Sequence, residues 1–400
     1  MARQSLLSLF IAPVLLLPTV TVAQSGYPES LLNTKGIFSR DGATAMGQPF
    51  RGVTTSEGII EGLFPVQDNG LSTASLAEAG ASFLATLSDI HLSRAQFPID
   101  DPEWRNWSNV DVGIFARHGV SLEEMDATQK AAAWNLLRVS LSVQGLKTTQ
   151  DIMKTEQTLL ELNEESIRYG EEKYYFTVMG VPSATEPWGW QLDGHHLVIN
   201  YFIQGGQVVM TPTFLGGEPV VATSGKYAGN TILQDEQNLG LAFMTSLDAE
   251  QRRVATVSKE KTENAPMAAA NADNMILDYV GLPGSALNTA QQAKLVELVA
   301  QYVGTMRDDQ AAVRMDQVKM HLNDTYFSWV GEVNPDAVFY YRVHSPVVLI
   351  EFDHQNPVGT TMINPRGAPT KDHIHTVIRT PNGNDYGKDL LRQHLETHPH

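Results

Sequence analysis

The feature that most constrains the fold is an order of elements that occurs twice along the chain. Residues 72–87 predict a helix, with Leu76, Ala79, Phe83 and Leu87 near one face. A second helix follows Ser121, which forms a capping box with Glu124 and opens a run through Trp134, Leu137 and Val139; a third covers residues 149–168. Strand-forming runs then take over at residues 174–178, and residues 197–202 pair with 207–210 across Gly205-Gly206, a hairpin signal. The same order returns. Gly80, Phe83 and Leu87 correspond to Gly240, Phe243 and Leu247, and Gly119, Gln129 and Leu136 to Gly281, Gln291 and Leu298. Residues 175–180 lie over 326–331 and, at the same offset, 197–201 over 348–352. The expected fold is α+β, in two similar halves over residues 70–220 and 236–390, each a helical segment followed by an antiparallel hairpin or sheet. Residues 258–274 read as a loop or helix edge within the second half.

The ends bound the protein's setting. A basic start, an apolar run over residues 6–17 too short to span a bilayer, and Thr21-Val22-Ala23 predict a signal peptide over residues 1–23, hence a secreted or periplasmic protein. Residues 24–69, rich in Gly, Ser, Thr and Pro, read as an extended lead-in, and residues 391–400 as a loose tail holding His394, His398 and His400. The absence of cysteine removes disulfides, thiol nucleophiles and thiolate metal sites, and leaves imidazole and carboxylate as the available metal ligands. A formal charge of −17 argues against nucleic acid and anionic membranes as partners, and points to a small molecule or a neutral polymer. Phosphate loops, dinucleotide fingerprints, serine nucleophile elbows and HExxH helices are all missing.

One stretch carries chemistry. In His373-Ile374-His375-Thr376-Val377-Ile378-Arg379 the two histidines share a strand face, just before the turn signal Pro381-Asn382-Gly383-Asn384-Asp385. Pairing this strand antiparallel with residues 347–353 buries Ile374 and Ile378 with Val348, Ile350 and Phe352. The opposite face then carries Glu351 and Asp353 beside His373 and His375. In the first half, Trp188-Gly189-Trp190-Gln191-Leu192-Asp193-Gly194-His195-His196 offers a third nitrogen ligand. His196 is preferred because it matches Val347, on the face of Glu351. The expected metal set is therefore His196, Glu351, His373 and His375, with His195 and His354 in reserve. Asp353 and Asp193 are the candidate bases, and Arg379 either grips a substrate carboxylate or pairs with Asp353. Trp188 and Trp190 make either a ligand platform or core anchors.

These stretches, together with His344-Ser345-Pro346 and Glu351-Phe352-Asp353-His354-Gln355, resemble the bacterial and fungal family known as domain of unknown function 3500. The resemblance covers nearly all of the mature chain. It implies that these motifs belong together and implies no particular reaction. On the residues themselves, the expectation is an exported protein binding a divalent ion. With zinc, a bound water of pKa about 7 would serve a hydrolase; with copper or iron, the same site would activate oxygen. A non-enzymatic ligand-binding module is the alternative, and the oligomeric state is not readable.

Overall fold

Alternation along the strands builds the molecule. In the computed structural model, which describes residues 29–398, a single 13-stranded, mostly antiparallel sheet is accompanied by ten helices among the described residues, a mixed α+β fold. The expected signal peptide and His400 lie outside the described residues. No helix among them is long and apolar enough to cross a membrane.

The chain runs through α1 (Glu29–Met46), α2 (Ala74–Thr86), α3 (Asp89–Ala95), β1 (Gln96–Phe97), β2 (Val120–Ser121), α4 (Ala127–Ser140) and α5 (Val143–Asn163). It then enters β3 (Tyr174–Gly180), β4 (Trp188–Gly194), β5 (Leu197–Gln204), β6 (Gln207–Val209) and β7 (Thr213–Gly217). Next come α6 (Gln234–Ser246), α7 (Ala249–Ala255), β8 (Thr256–Ser258), β9 (Leu282–Pro283), α8 (Thr289–Val303) and α9 (Asp308–Met320). The last elements are β10 (Tyr326–Gly331), β11 (Phe339–His344), β12 (Leu349–His354), β13 (Ile374–Arg379) and α10 (Lys388–Thr397). The capping box at Ser121 and Glu124 forms, but on a 3-10 turn; α4 starts with its own box, Asp126 and Gln129.

The main path of the sheet is β1-β3-β4-β5-β7-β13-β12-β11-β10-β8. Strands from the two parts of the chain therefore meet at β7 and β13, where His375 pairs with Gly216 and Ile378 with Thr213. The β12–β13 register is the one that burial of the apolar residues requires: Ile350 faces Ile378, Glu351 faces Val377 and Asp353 faces His375. Ile350, Phe352, Ile374 and Ile378 enter a core with Phe83, Leu136, Phe243 and Leu298 of the helices. On the other face, Val198, Phe214 and Val377 pack with Trp104, Trp107 and Tyr386 from the loops. Trp188 and Trp190 are fully buried, Trp190 stacked on Tyr201 at 5.0 Å, so they anchor the core and offer no ligand platform.

Two expectations about the ends are corrected. The lead-in is not extended throughout, because α1 occupies residues 29–46. Its weak propensity is overridden by tertiary capture: the Arg105 guanidinium donates to the terminal carbonyls of Ala45 (2.8 Å) and Met46 (3.2 Å) and to Gln48 (2.7 Å). Nor are residues 391–397 a loose tail. They belong to α10, which buries Leu390, Leu391 and His394.

Candidate metal centre

A tight turn places the first histidine. Gly194 and Leu197 close the β4–β5 hairpin, so His195 and His196 form the turn itself instead of pointing to opposite faces of a strand. His196 takes a left-handed backbone (φ +61°), which costs a non-glycine residue roughly 1 kcal/mol or more. Two backbone bonds hold it there, from its amide to Asn109 (3.1 Å) and from the Gly216 amide to its carbonyl (2.7 Å). The turn lays the two rings on each other, centroids 3.8 Å apart.

From the other part of the chain, the start of β13 brings His373 and His375 to the same point. His196 Nε2 lies 3.3 Å from His373 Nε2, which lies 2.9 Å from His375 Nε2. Burial lowers the pKa of all three. For His196 and His375 neighbouring histidine charges lower it further, while for His373 the Glu218 charge and the Asn356 carbonyl oppose the fall. The rings are therefore neutral at neutral pH. His373 Nδ1 stands 2.7 Å from the Asn356 carbonyl, which fixes its proton there and leaves a lone pair on Nε2. Three imidazole nitrogens crowded head to head make poor mutual partners and a good ligand set. Nitrogens about 2.0–2.1 Å from a tetrahedral zinc ion stand about 3.3–3.4 Å apart; the 3.3 Å between His196 and His373 matches this, and the 2.9 Å between His373 and His375 is shorter.

Two carboxylates stand behind the rings. Glu218, just past β7, is 3.5 Å from His373 Nδ1 and accepts the amides of Val358 (2.9 Å), Gly359 (2.8 Å) and Thr360 (2.9 Å). Burial pushes its pKa up, but the His373 charge, the Thr360 hydroxyl and these amides outweigh burial and leave it lowered. Glu156, on the buried face of α5, holds His195 Nδ1 at 2.8 and 2.9 Å through its two oxygens; its pKa is raised by burial against the pull of His195. Glu156, His195 and His196 also lie close enough together to hold an ion, although both Glu156 oxygens are already engaged with His195.

The remaining expected residues lie elsewhere. Glu351 is on the histidine face but is not among the grouped ligands: it accepts from Tyr340 Oη (2.5 Å) and the Ala268 amide (2.7 Å). Asp353, opposite His375, pairs with buried Lys261 at 3.0 Å and accepts the Ala265 amide; burial brings its pKa up to about 7. Asp193 is buried against Arg117 (3.1 Å), with its pKa raised by burial to about 6. Arg379 grips no substrate and does not pair with Asp353. It is fully buried against Asp273 (2.8 Å) and Asp385 (2.9 Å), with two further bonds to the carbonyls of Ala268 and Ala269. His354 turns to the helix face, where Nδ1 accepts the Phe339 amide and Nε2 meets Gln237 (2.9 Å).

Sequence reasoning missed Glu156, Glu218 and Asn356. Glu156 had a signal: it sits between Ile152 and Leu159 on the buried stripe of α5, where a carboxylate needs a partner. Glu218 and Asn356 lie in irregular segments where no periodicity speaks.

The chain matches the family described as a protein of unknown function, DUF3500, over residues 69–388, and belongs to it. No curated protein and no solved structure matches the chain.

Proposed function

We propose that this member of the family is an exported metalloprotein in which His196, His373 and His375 hold a divalent ion, and that it works as a metal-dependent hydrolase. The observation that carries the reading is the convergence of three neutral imidazole Nε2 atoms at 2.9 and 3.3 Å, with the proton of one ring fixed on its far nitrogen. Three histidines would leave a divalent ion a position for water, and zinc held there would supply a water with a pKa of about 7. Glu218 steadies His373 through its orientation, and the His195–Glu156 pair lies against His196. Copper suits the same all-nitrogen set and is the second reading. A 2-His-1-carboxylate set of the kind non-haem iron uses is offered by Glu156, His195 and His196, but both Glu156 oxygens are engaged by His195 Nδ1, so that reading is less favoured.

The test is elemental analysis of protein purified without chelator, alongside His373→Ala and His375→Ala. About one equivalent of metal, lost in both variants, is the expected result. A protein without stoichiometric metal, or one whose metal survives both substitutions, overturns the assignment. Hydrolysis is tested separately, by screening ester, amide and glycoside substrates for turnover that disappears on chelation and returns with zinc.

We also infer that residues 70–220 and 236–390 are two similar halves. Tyr175 pairs with Asp193 as Tyr326 pairs with His344, and Asp193 with Val198 as His344 with Leu349, all at one offset. Gly119 (φ +90°) presses on the Phe176 carbonyl as Gly281 (φ +102°) presses on that of Phe327. Under this reading each half contributes a strand end to the metal centre.

A further inference from the structure

A second polar site lies away from the histidines, in a cavity of about 50 Å³ between β6, the start of α9 and the segment after β13. That is room for about three or four water-sized spheres. Arg314 of α9 lines it. Its Nη1 donates to Gln317 (2.9 Å), and Nη2 donates to Thr380 Oγ1 (3.0 Å) and to the Val347 carbonyl. No carboxylate lies within ion-pair distance of it among the described residues. Asp385, the acid whose charge reaches it, is already paired with Arg379 and the Thr380 amide. Desolvation lowers the Arg314 pKa to about 10, so the guanidinium remains charged at neutral pH.

Several donors at the cavity are unspent on protein acceptors. Arg314 Nε and the second Nη1 proton have no partner among the described residues. Thr211 and Thr380 share one bond between their hydroxyls (2.7 Å), so whichever of them donates, the proton of the other is left over. Gln310, also lining the cavity, spends its amide group on the Gly206 carbonyl. A half-buried cation without an acid, its unspent donors open to the cavity beside a spare hydroxyl proton, offers an acceptor with negative charge a place to bind.

We propose that this cavity binds a small oxyanion, a carboxylate or phosphate group, on Arg314 and the Thr211–Thr380 hydroxyl pair. In the two-halves reading, Val347, whose carbonyl Arg314 engages, stands where His196 stands in the other half. The cavity would then be the counterpart of the metal centre, with a fixed cation in place of a metal ion; the oxyanion assignment does not depend on this.

The test uses the full chain stripped of metal and carrying His373→Ala and His375→Ala, so that no anion can report on the metal centre. Urea midpoints are followed against sodium acetate and, separately, inorganic phosphate, with ionic strength held constant by chloride. A saturable stabilisation by one of the two is expected, and which one responds assigns the class. The apparent affinity should fall by about tenfold or more in Arg314→Gln and by a smaller factor in Thr211→Val. Should Arg314→Gln fail to fold, Thr211→Val carries the comparison. Absence of saturation with both anions, or a response unchanged by the substitutions, overturns the proposal.

Discussion

Replacing Glu218 with glutamine separates two roles that the structure gives one side chain. As an anchor, the carboxylate accepts three backbone amides at 2.8 to 2.9 Å and the Thr360 hydroxyl. As an orienting charge, it stands 3.5 Å from Nδ1 of His373, the proposed ligand, whose Nδ1 proton goes to the Asn356 carbonyl. Bonds to an ionised acceptor are roughly twice as strong as neutral ones, whose net value is about 1 kcal/mol; losing the charge over three amides therefore costs about 3 kcal/mol of folding stability. Because the bond from His373 Nδ1 to the Asn356 carbonyl survives the substitution, loss of the outer charge should weaken metal binding towards the lower end of the range for outer partners, about 10-fold or about 1.4 kcal/mol. The lowered pKa of Glu218 sets the sign with pH. Its contribution is present above the unfolded value of 4.5 and is lost as the pH falls, so wild type and variant should converge in acid. Urea denaturation of the metal-free proteins reads the first effect, and zinc titration against a competing chelator reads the second. A variant that loses stability but binds zinc as tightly as wild type would refute the orienting role and leave Glu218 a loop anchor.

Other outcomes follow from the same geometry. Burial lowers His344 and His354 to about 3, so the folded chain binds fewer protons than the unfolded one below pH 6.5; each should remove up to about 1.4 kcal/mol per pH unit as the solution is acidified. Asp353 and Asp193 titrate in the same window with the opposite sign, so the check is a difference: urea denaturation over about pH 5 to 6.5 should show His354→Gln losing about one proton of slope relative to wild type, and an unchanged slope counts against the buried neutral ring. Arg379→Met leaves Asp273 and Asp385 short of a counter-charge in the core and should cost about 3–5 kcal/mol by denaturant midpoint, which a merely exposed arginine would not. Gly119→Ala and Gly281→Ala each put a Cβ within 2.4 and 2.1 Å, respectively, of a carbonyl oxygen at a left-handed backbone; both should lose more than about 2 kcal/mol, and tolerance of either would break the equivalence of the two positions.

What could be read from the sequence is what alternation controls. His373 and His375 share a face, and burying Ile374 and Ile378 with Ile350 and Phe352 fixes the β12–β13 register, which puts Asp353 opposite His375. Face and register do not say where a long side chain ends. Glu351 and Asp353 lie on the correct face, yet the irregular segment containing Lys261, Ala265 and Ala268 takes up their oxygens. Arg379 was ambiguous for the same reason, since its partners Asp273 and Asp385 come from irregular segments that no period positions. Alternation does not say where the β4–β5 turn falls. The turn is His195-His196 itself, and only the left-handed backbone of His196 brings its ring onto the other two.

Removing the acids from the immediate ligand set has a chemical consequence. Three neutral imidazoles leave a bound divalent ion its full charge, whereas each carboxylate ligand would cancel one unit and weaken its pull on the electrons of a bound water. Glu351 and Asp353, the two acids on the histidine face of β12, are held off by a tyrosine and a lysine, and Glu218 and Glu156 act through intervening imidazoles. In the proposed centre no acid would then dilute the charge at the open position. That arrangement favours a centre that acidifies water or polarises an oxygen over one that stores oxidising equivalents on an acid-ligated iron, and it is the physical reason for preferring hydrolysis. It also fixes what an engineered acid should do: His375→Asp, tested with a series of divalent ions, should shift preference away from zinc towards manganese and raise the pH at which any hydrolytic activity appears. Unchanged metal preference in that variant would place the ion on other ligands.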